Sequence, residues 1–77
     1  MKPHEKWIEL LSHAEWIRSR SFNMRYGQSL VSSLYDVDYD LYLRIRGTVV
    51  DPFYMDQHAE AFAQVVITAW GNEDEAS

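Results

Sequence analysis

The helical spacing of apolar residues near the start of the chain constrains the fold more than any other feature. Apolar residues recur three, one, three and three positions apart, at Trp7, Leu10, Leu11, Ala14 and Ile17. This spacing places them on one side of an α-helix and predicts a helix over residues 3–19. Pro3 suits its first position. Ile8 and Trp16 widen the apolar stripe, so we expect this helix to contact two neighbours.

A similar pattern predicts a helix near the end of the chain. Asp56 is the expected N-cap, and Gly71 is the expected terminator. Its apolar stripe consists of Ala59, Phe62, Ala63, Val66 and Trp70. Residues 72–77 are acidic, and we predict a disordered tail beyond a single helical domain at residues 1–71.

A third helix is predicted to end near Tyr35, with Ser21 or Asn23 as its N-cap. Its apolar side comprises Met24, Gly27, Val31, Leu34 and Tyr35, with Leu30 close by. A glycine inside a helix costs about 1 kcal/mol relative to alanine. We therefore assign Gly27 a structural role, as the point where another helix crosses closely.

Residues 38–46 have two interpretations. Val37, Tyr39, Leu41, Leu43 and Ile45 alternate with polar or amphipathic residues, which is typical of a strand. Alternatively, Asp38 caps a short helix that buries Leu41 and Ile45 and ends at a left-handed Gly47. The signals at both ends favour the helix.

The remaining segment, residues 48–55, has no clear period and contains Asp51-Pro52, which disfavours helix. We predict an ordered apolar loop whose Val50, Phe53 and Tyr54 contact the core. The predicted fold class is all-α, a compact bundle of three to four short helices with this loop before the last helix. With 77 residues and no cysteine, such a domain has a small core and no disulfide.

The sequence contains three motifs: Arg25-Tyr26-Gly27-Gln28-Ser29-Leu30, residues 34–38, and Arg46-Gly47-Thr48 before Asp51-Pro52-Phe53-Tyr54. Together these motifs resemble a group of small uncharacterised bacterial and phage proteins. The resemblance covers residues 24–56. In such relatives we expect proline at the position of Tyr39, which favours helix over strand at residues 38–46. The resemblance implies no reaction, but it points to a phage or another mobile element as the source.

The chemistry of the side chains gives no catalytic or metal site. His4, His13 and His58 do not have metal-ligand spacing, and no serine lies in a glycine-flanked elbow. The Asp36, Asp38 and Asp40 series resembles the start of a calcium loop but lacks its glycine and glutamate. We therefore expect no enzyme activity, no metal and no cofactor. No apolar run approaches the roughly 18 residues needed to span a membrane, and we expect a cytoplasmic protein.

Charge is divided along the chain. Residues 47–77 contain six carboxylates and no lysine or arginine, whereas the net charge of the whole chain is -5. This acidity argues against direct nucleic-acid binding, although Arg18, Arg20, Arg25, Arg44 and Arg46 could form a basic patch with Tyr26 and Tyr42. We prefer an internal role for Arg25 and Arg46, paired with Asp51, Asp36 or loop carbonyls. Arg46 and Asp51 are accordingly assigned structural roles.

The functional expectation is a non-enzymatic protein-binding module. We expect a phage or mobile-element inhibitor or regulator of a host nucleic-acid-handling or defence complex. Its acidic surface either serves solubility alone or imitates phosphates and occupies a basic nucleic-acid-binding channel. The predicted contact residues are Asp36, Asp40 and Tyr42, with Asp38 reserved for capping. The alternative is a structural homodimer without a host target, joined through exposed aromatics such as Trp16, Tyr42 and Trp70.

Overall fold

The computed structural model describes residues 2–48 and 56–76. Its α-helices are α1 (Pro3–Arg20), α2 (Tyr26–Val37), α3 (Tyr39–Ile45) and α4 (Ala59–Ala76), with a 3₁₀ turn at Asp56–His58 before α4. These two ranges contain no strand, so the predicted all-α class is confirmed. The predicted apolar loop, with Val50, Phe53 and Tyr54, lies outside the described residues.

Helix α1 begins and ends where its sequence signals predict. Pro3 occupies the first turn, and the Lys2 amide donates to Glu5 Oε2 at 3.4 Å. Arg18 and Arg20 lie in the last turn, where cations interact favourably with the negative end of the helix dipole. Local chemistry therefore determines both ends of this helix.

The predicted start of α2 is wrong. Ser21 ends α1, and its amide donates to the Arg18 carbonyl at 3.2 Å. Asn23 has a φ of 63°, a left-handed conformation that asparagine tolerates, so it turns the chain instead of capping a helix. The helix begins at Tyr26, and the side chain of Gln28 accepts a bond from the Arg25 amide at 3.2 Å.

Residues 39–45 are helical, as predicted. The Leu41 amide donates to Asp38 Oδ1 at 3.2 Å, so Asp38 is the N-cap. Leu41 and Ile45 are buried, whereas Leu43 is 43% exposed. The alternating apolar residues therefore do not share one face. Leu41 and Ile45, four residues apart, lie on the buried side of the helix, and Leu43 lies on its exposed side. Gly47 has a φ of 76°, the left-handed conformation expected just after a helix.

The predicted helix end at Gly71 is wrong, because α4 continues to Ala76. Residues 72–76, expected as a disordered tail, form its last turn. Gly71 lies inside the helix, where an added Cβ would approach Pro3 Cγ at 3.8 Å. Buried Trp70 holds this part of α4 to the core, and Glu73 reaches Arg44 at 3.4 Å. Asp56 begins the 3₁₀ turn that precedes α4.

All four helices contribute to one core. The buried apolar residues are Leu10, Ala14, Leu30, Val31, Leu34, Leu41, Ile45, Phe62, Val66 and Trp70. Helix α1 packs against α2 and α4, so it has two neighbours as predicted, and α2 also packs against α3. These two contacts of α1 do not depend on Ile8 and Trp16, as the sequence suggested, since these side chains are 61% and 53% exposed. A buried bond from Ser33 Oγ to the Leu10 carbonyl, 2.7 Å long, joins α2 to α1.

No described helix is long and apolar enough to cross a membrane.

Helices α2 and α3 meet at Asp38, which is both the C-cap of α2 and the N-cap of α3. Their exposed sides therefore form a continuous surface beside the C-terminal half of α1. Most of the predicted contact residues lie on this surface.

Candidate functional site

Two of the three predicted contact residues line one cleft between α1, α2 and α3. The cleft has a volume of about 300 Å³, and its lining consists of Ile17, Val31, Ser32, Tyr35, Asp36 and Tyr42. Asp36 and Tyr42 are thus brought together. Asp40 lies in the first turn of α3, is exposed, and does not line the cleft. The structure therefore separates Asp40 from the other two.

A cluster of tyrosines forms one wall of the cleft and its border. The ring of Tyr35 lies edge-on to those of Tyr39 and Tyr42, with centroid distances of 5.0 and 5.1 Å. Tyr39 and Tyr42 stack at 5.8 Å with an interplanar angle of 22°. Tyr35 is 51% exposed and Tyr39 is 50% exposed. We call Tyr35, Tyr39 and Tyr42 the tyrosine face.

Sequence reasoning missed this cluster. The sequence places Tyr35 on the apolar side of its predicted helix, and it places Tyr39 in an alternating pattern and at the position where relatives are expected to have proline. The sequence signal for the cluster is that the three tyrosines are four and three residues apart, a spacing that brings side chains together on one side of a helix. The break in the helix at Asp38 obscured it.

Asp38 has a second role that the sequence did not suggest. Its Oδ2 accepts a 2.8 Å hydrogen bond from Trp70 Nε1, while Oδ1 caps α3. A single carboxylate thereby joins the α2–α3 junction to α4. The expectation that Asp38 is occupied by capping agrees with this geometry.

Asp36 pairs with a histidine, whereas the sequence suggests it as one of several possible partners of an arginine. His13 Nε2 lies 2.8 Å from Asp36 Oδ2, and this contact joins α1 to α2. The His13 ring also stacks on Trp16, with centroids 5.7 Å apart. Asp36, Asp38 and Asp40 therefore occupy three different environments and do not form a uniform acidic patch.

The other predicted roles have mixed outcomes. The prediction that Trp70 is an exposed aromatic available to a homodimer is wrong, because Trp70 is 2% exposed. Of the other two aromatics named for that interface, Trp16 is exposed and Tyr42 is half-buried. Gly27 is buried at the second position of α2 rather than in its interior. Arg46 is exposed at the end of α3. Asp51 lies outside the described residues, so its pairing with Arg46 remains a prediction.

The arginines do not form the single basic patch considered from the sequence. Arg44 lies 3.4 Å from Glu73 on α4. Arg18 and Arg20 lie instead at the end of α1, close to Tyr26 and Trp16 respectively. Among the residues that the structure describes, no group of three His, Cys, Asp or Glu side chains could hold a metal ion.

Comparisons with protein-family models, with curated proteins and with solved structures found no match. The feature that points to a function is therefore the surface itself: a cleft bordered by three clustered tyrosines, with the His13–Asp36 pair at its edge and Asp40 exposed on α3.

Proposed function

We propose that this protein is a non-enzymatic protein-binding module whose partner contacts the tyrosine face and the adjacent cleft. The observation that carries the proposal is the exposure of Tyr35 and Tyr39, each about half accessible although their rings contact each other and Tyr42. Tyrosine is enriched in protein interfaces, because a rigid ring supplies apolar area while its hydroxyl group forms hydrogen bonds.

Mutual packing prepares these rings for binding. Aromatic pairs in edge-on or offset geometry contribute about 0.5–1.5 kcal/mol each. The three rings therefore restrict one another's rotamers before a partner arrives, which reduces the entropy lost on binding. A partner side chain could then enter the cleft lined by Ile17 and Val31.

The charges around this surface favour a partner with basic residues. Asp40 is exposed, and Asp36 is 52% exposed although it contacts His13. Together with the net charge of -5, these carboxylates would attract a basic site and increase the association rate. We propose, in line with the resemblance to phage proteins, an inhibitor or regulator of a host nucleic-acid-handling or defence complex, acting in the cytoplasm.

The test is affinity capture from a host lysate, followed by calorimetry with the captured protein. Tyr39→Ala should weaken binding by about tenfold or more, since truncating an aromatic at the centre of an interface often costs 2 kcal/mol or more. Asp40→Asn should produce a smaller loss that disappears at high salt. Val65→Ala is the matched control, because Val65 is an apolar residue of α4, 39% exposed and outside the cleft.

Equal binding by Tyr39→Ala and the unchanged protein would reject the tyrosine face. The homodimer alternative has its own signature, measured by light scattering. A dimer mass that Tyr39→Ala converts to a monomer, with no captured partner, would replace the host-target proposal with self-association.

A further inference from the structure

A second surface surrounds the end of α1, and its charge is opposite to that of the whole chain. Residues 16–35 contain three arginines, Arg18, Arg20 and Arg25, and no aspartate or glutamate, whereas the net charge of the chain is -5. The arginines flank the turn between α1 and α2. Positive charge is therefore concentrated at one corner of an acidic protein.

Aromatic rings accompany these arginines. The Arg20 guanidinium lies 4.7 Å from the centre of the Trp16 ring, and that of Arg18 lies 5.8 Å from the centre of the Tyr26 ring. Arg18 and Arg20 are two residues apart, which separates them by about 200° around the helix axis. The two pairs therefore lie on opposite sides of the end of α1.

Phe22 lies between these pairs in the sequence and is 95% exposed. The left-handed Asn23, with a φ of 63°, turns the chain immediately after it. Arg18 and Arg20 also complement the dipole of α1, but helix termination does not require an exposed phenyl ring. An exposed phenyl ring close in sequence to arginines and other aromatic residues offers apolar area of the kind found in interfaces, where arginine and aromatic residues are enriched. We call Trp16, Arg18, Arg20, Phe22, Arg25 and Tyr26 the basic corner.

We infer that the basic corner is a second docking surface that takes an acidic segment of a protein, with Phe22 entering an apolar site between carboxylates. A guanidinium stacked on a ring keeps its edge N–H groups available for bidentate bonds to a carboxylate. Arg18 lies 3.5 Å from Glu15, but such an exposed pair contributes little and a second carboxylate can displace it.

Charge and geometry favour an acidic protein segment over nucleic acid. Binding of a single strand requires ring faces on which successive bases stack. Here guanidinium groups lie against Trp16 and Tyr26, which leaves Phe22 as the only ring of the basic corner with both faces open to solvent. The net charge of -5 also opposes a long polyanion. A short acidic segment meets only the local positive charge.

The experiment is an NMR titration of the isotope-labelled full chain with a synthetic peptide of alternating glutamate and leucine. We expect shifts confined to the amides of residues 16–26 and binding that weakens as salt increases. Arg18→Gln with Arg20→Gln should weaken binding at least about tenfold, equivalent to 1.4 kcal/mol, and Phe22→Ala should do the same. Arg44→Gln is the matched control and should bind like the unchanged chain, because Arg44 pairs with Glu73 elsewhere.

Circular dichroism of each variant establishes that it is folded before its affinity is compared. Absence of peptide binding, or binding that the arginine and Phe22 substitutions leave unchanged, would overturn the inference. Tighter binding of oligothymidine would assign the corner to nucleic acid instead. Preferential binding to phosphatidylserine over phosphatidylcholine vesicles would assign it to a membrane surface. Tyr39→Ala should bind the peptide normally, so failure of the tyrosine face and failure of the basic corner give different results.

Discussion

Replacing Asp38 should destabilise the protein more than replacing any other carboxylate on the described surface of α2 and α3. Its two oxygens have separate partners: the Leu41 amide at 3.2 Å and Trp70 Nε1 at 2.8 Å. Trp70 is 2% exposed, so water has little access to its indole N–H if the carboxylate is removed. Asp38→Ala therefore removes a helix cap and leaves a buried donor without its acceptor.

The expected magnitude follows from these two losses. Removing an N-cap aspartate costs about 1 kcal/mol, and leaving a buried donor unsatisfied costs about 1–3 kcal/mol. We expect Asp38→Ala to reduce the free energy of unfolding by about 2–4 kcal/mol. A chain of 77 residues has a total stability of about 4–12 kcal/mol, so this loss is a large share. The melting temperature should fall by at least about 8 °C.

Urea denaturation followed by circular dichroism measures the effect. Asp38→Asn should lie between the unchanged protein and Asp38→Ala, because its single carbonyl oxygen can cap α3 but cannot also serve as the second acceptor for Trp70. Asp40→Ala is the matched control: it is the same change two positions later, on an exposed residue, and should cost less than about 0.5 kcal/mol. If Asp38→Ala and Asp40→Ala have equal stability, the proposed joint between α3 and α4 does not contribute to folding.

The glycines give three further predictions, each measured by the same denaturation assay. Gly71→Ala should stabilise the protein by about 0.5–1 kcal/mol, because Gly71 is inside α4 and, among the described residues, an added Cβ meets only Pro3 Cγ, at an ordinary 3.8 Å; destabilisation would indicate that the helix ends there. Gly47→Ala should cost about 1 kcal/mol, since its φ of 76° is unfavourable for a residue with a Cβ; an unchanged midpoint would contradict this conformation. Gly27→Leu should cost more than about 1 kcal/mol by overpacking a buried position, and full stability would show that the position tolerates a side chain.

The sequence alone was sufficient to predict where most helices lie and which sides they bury. The start of α1 at Pro3, the cap at Asp38 and the turn at Gly47 depend on interactions within about one helical turn. The buried side of α4 follows from a period that any amphipathic helix must obey. Such features are local, so their residue types are sufficient to identify them.

Two of the sequence predictions are wrong because the residue type has several local uses. Asn23 can cap a helix or adopt a left-handed turn, and Gly71 can end a helix or be tolerated inside one. The tertiary structure selects the second use in both cases. In α4, the burial of Trp70 and the contact between Glu73 and Arg44 accompany a helix that continues past Gly71.

The candidate site depended still more on the tertiary structure. The sequence predicts Asp36 as a contact residue but does not indicate its partner His13, which lies 23 positions away; Asp38 and Trp70 are 32 positions apart. The tyrosine face requires α2 and α3 to meet at one angle, and the basic corner requires the turn that exposes Phe22. Sequence periodicity specifies which side of each helix is apolar, whereas the packing of helices against one another decides which polar and aromatic side chains meet.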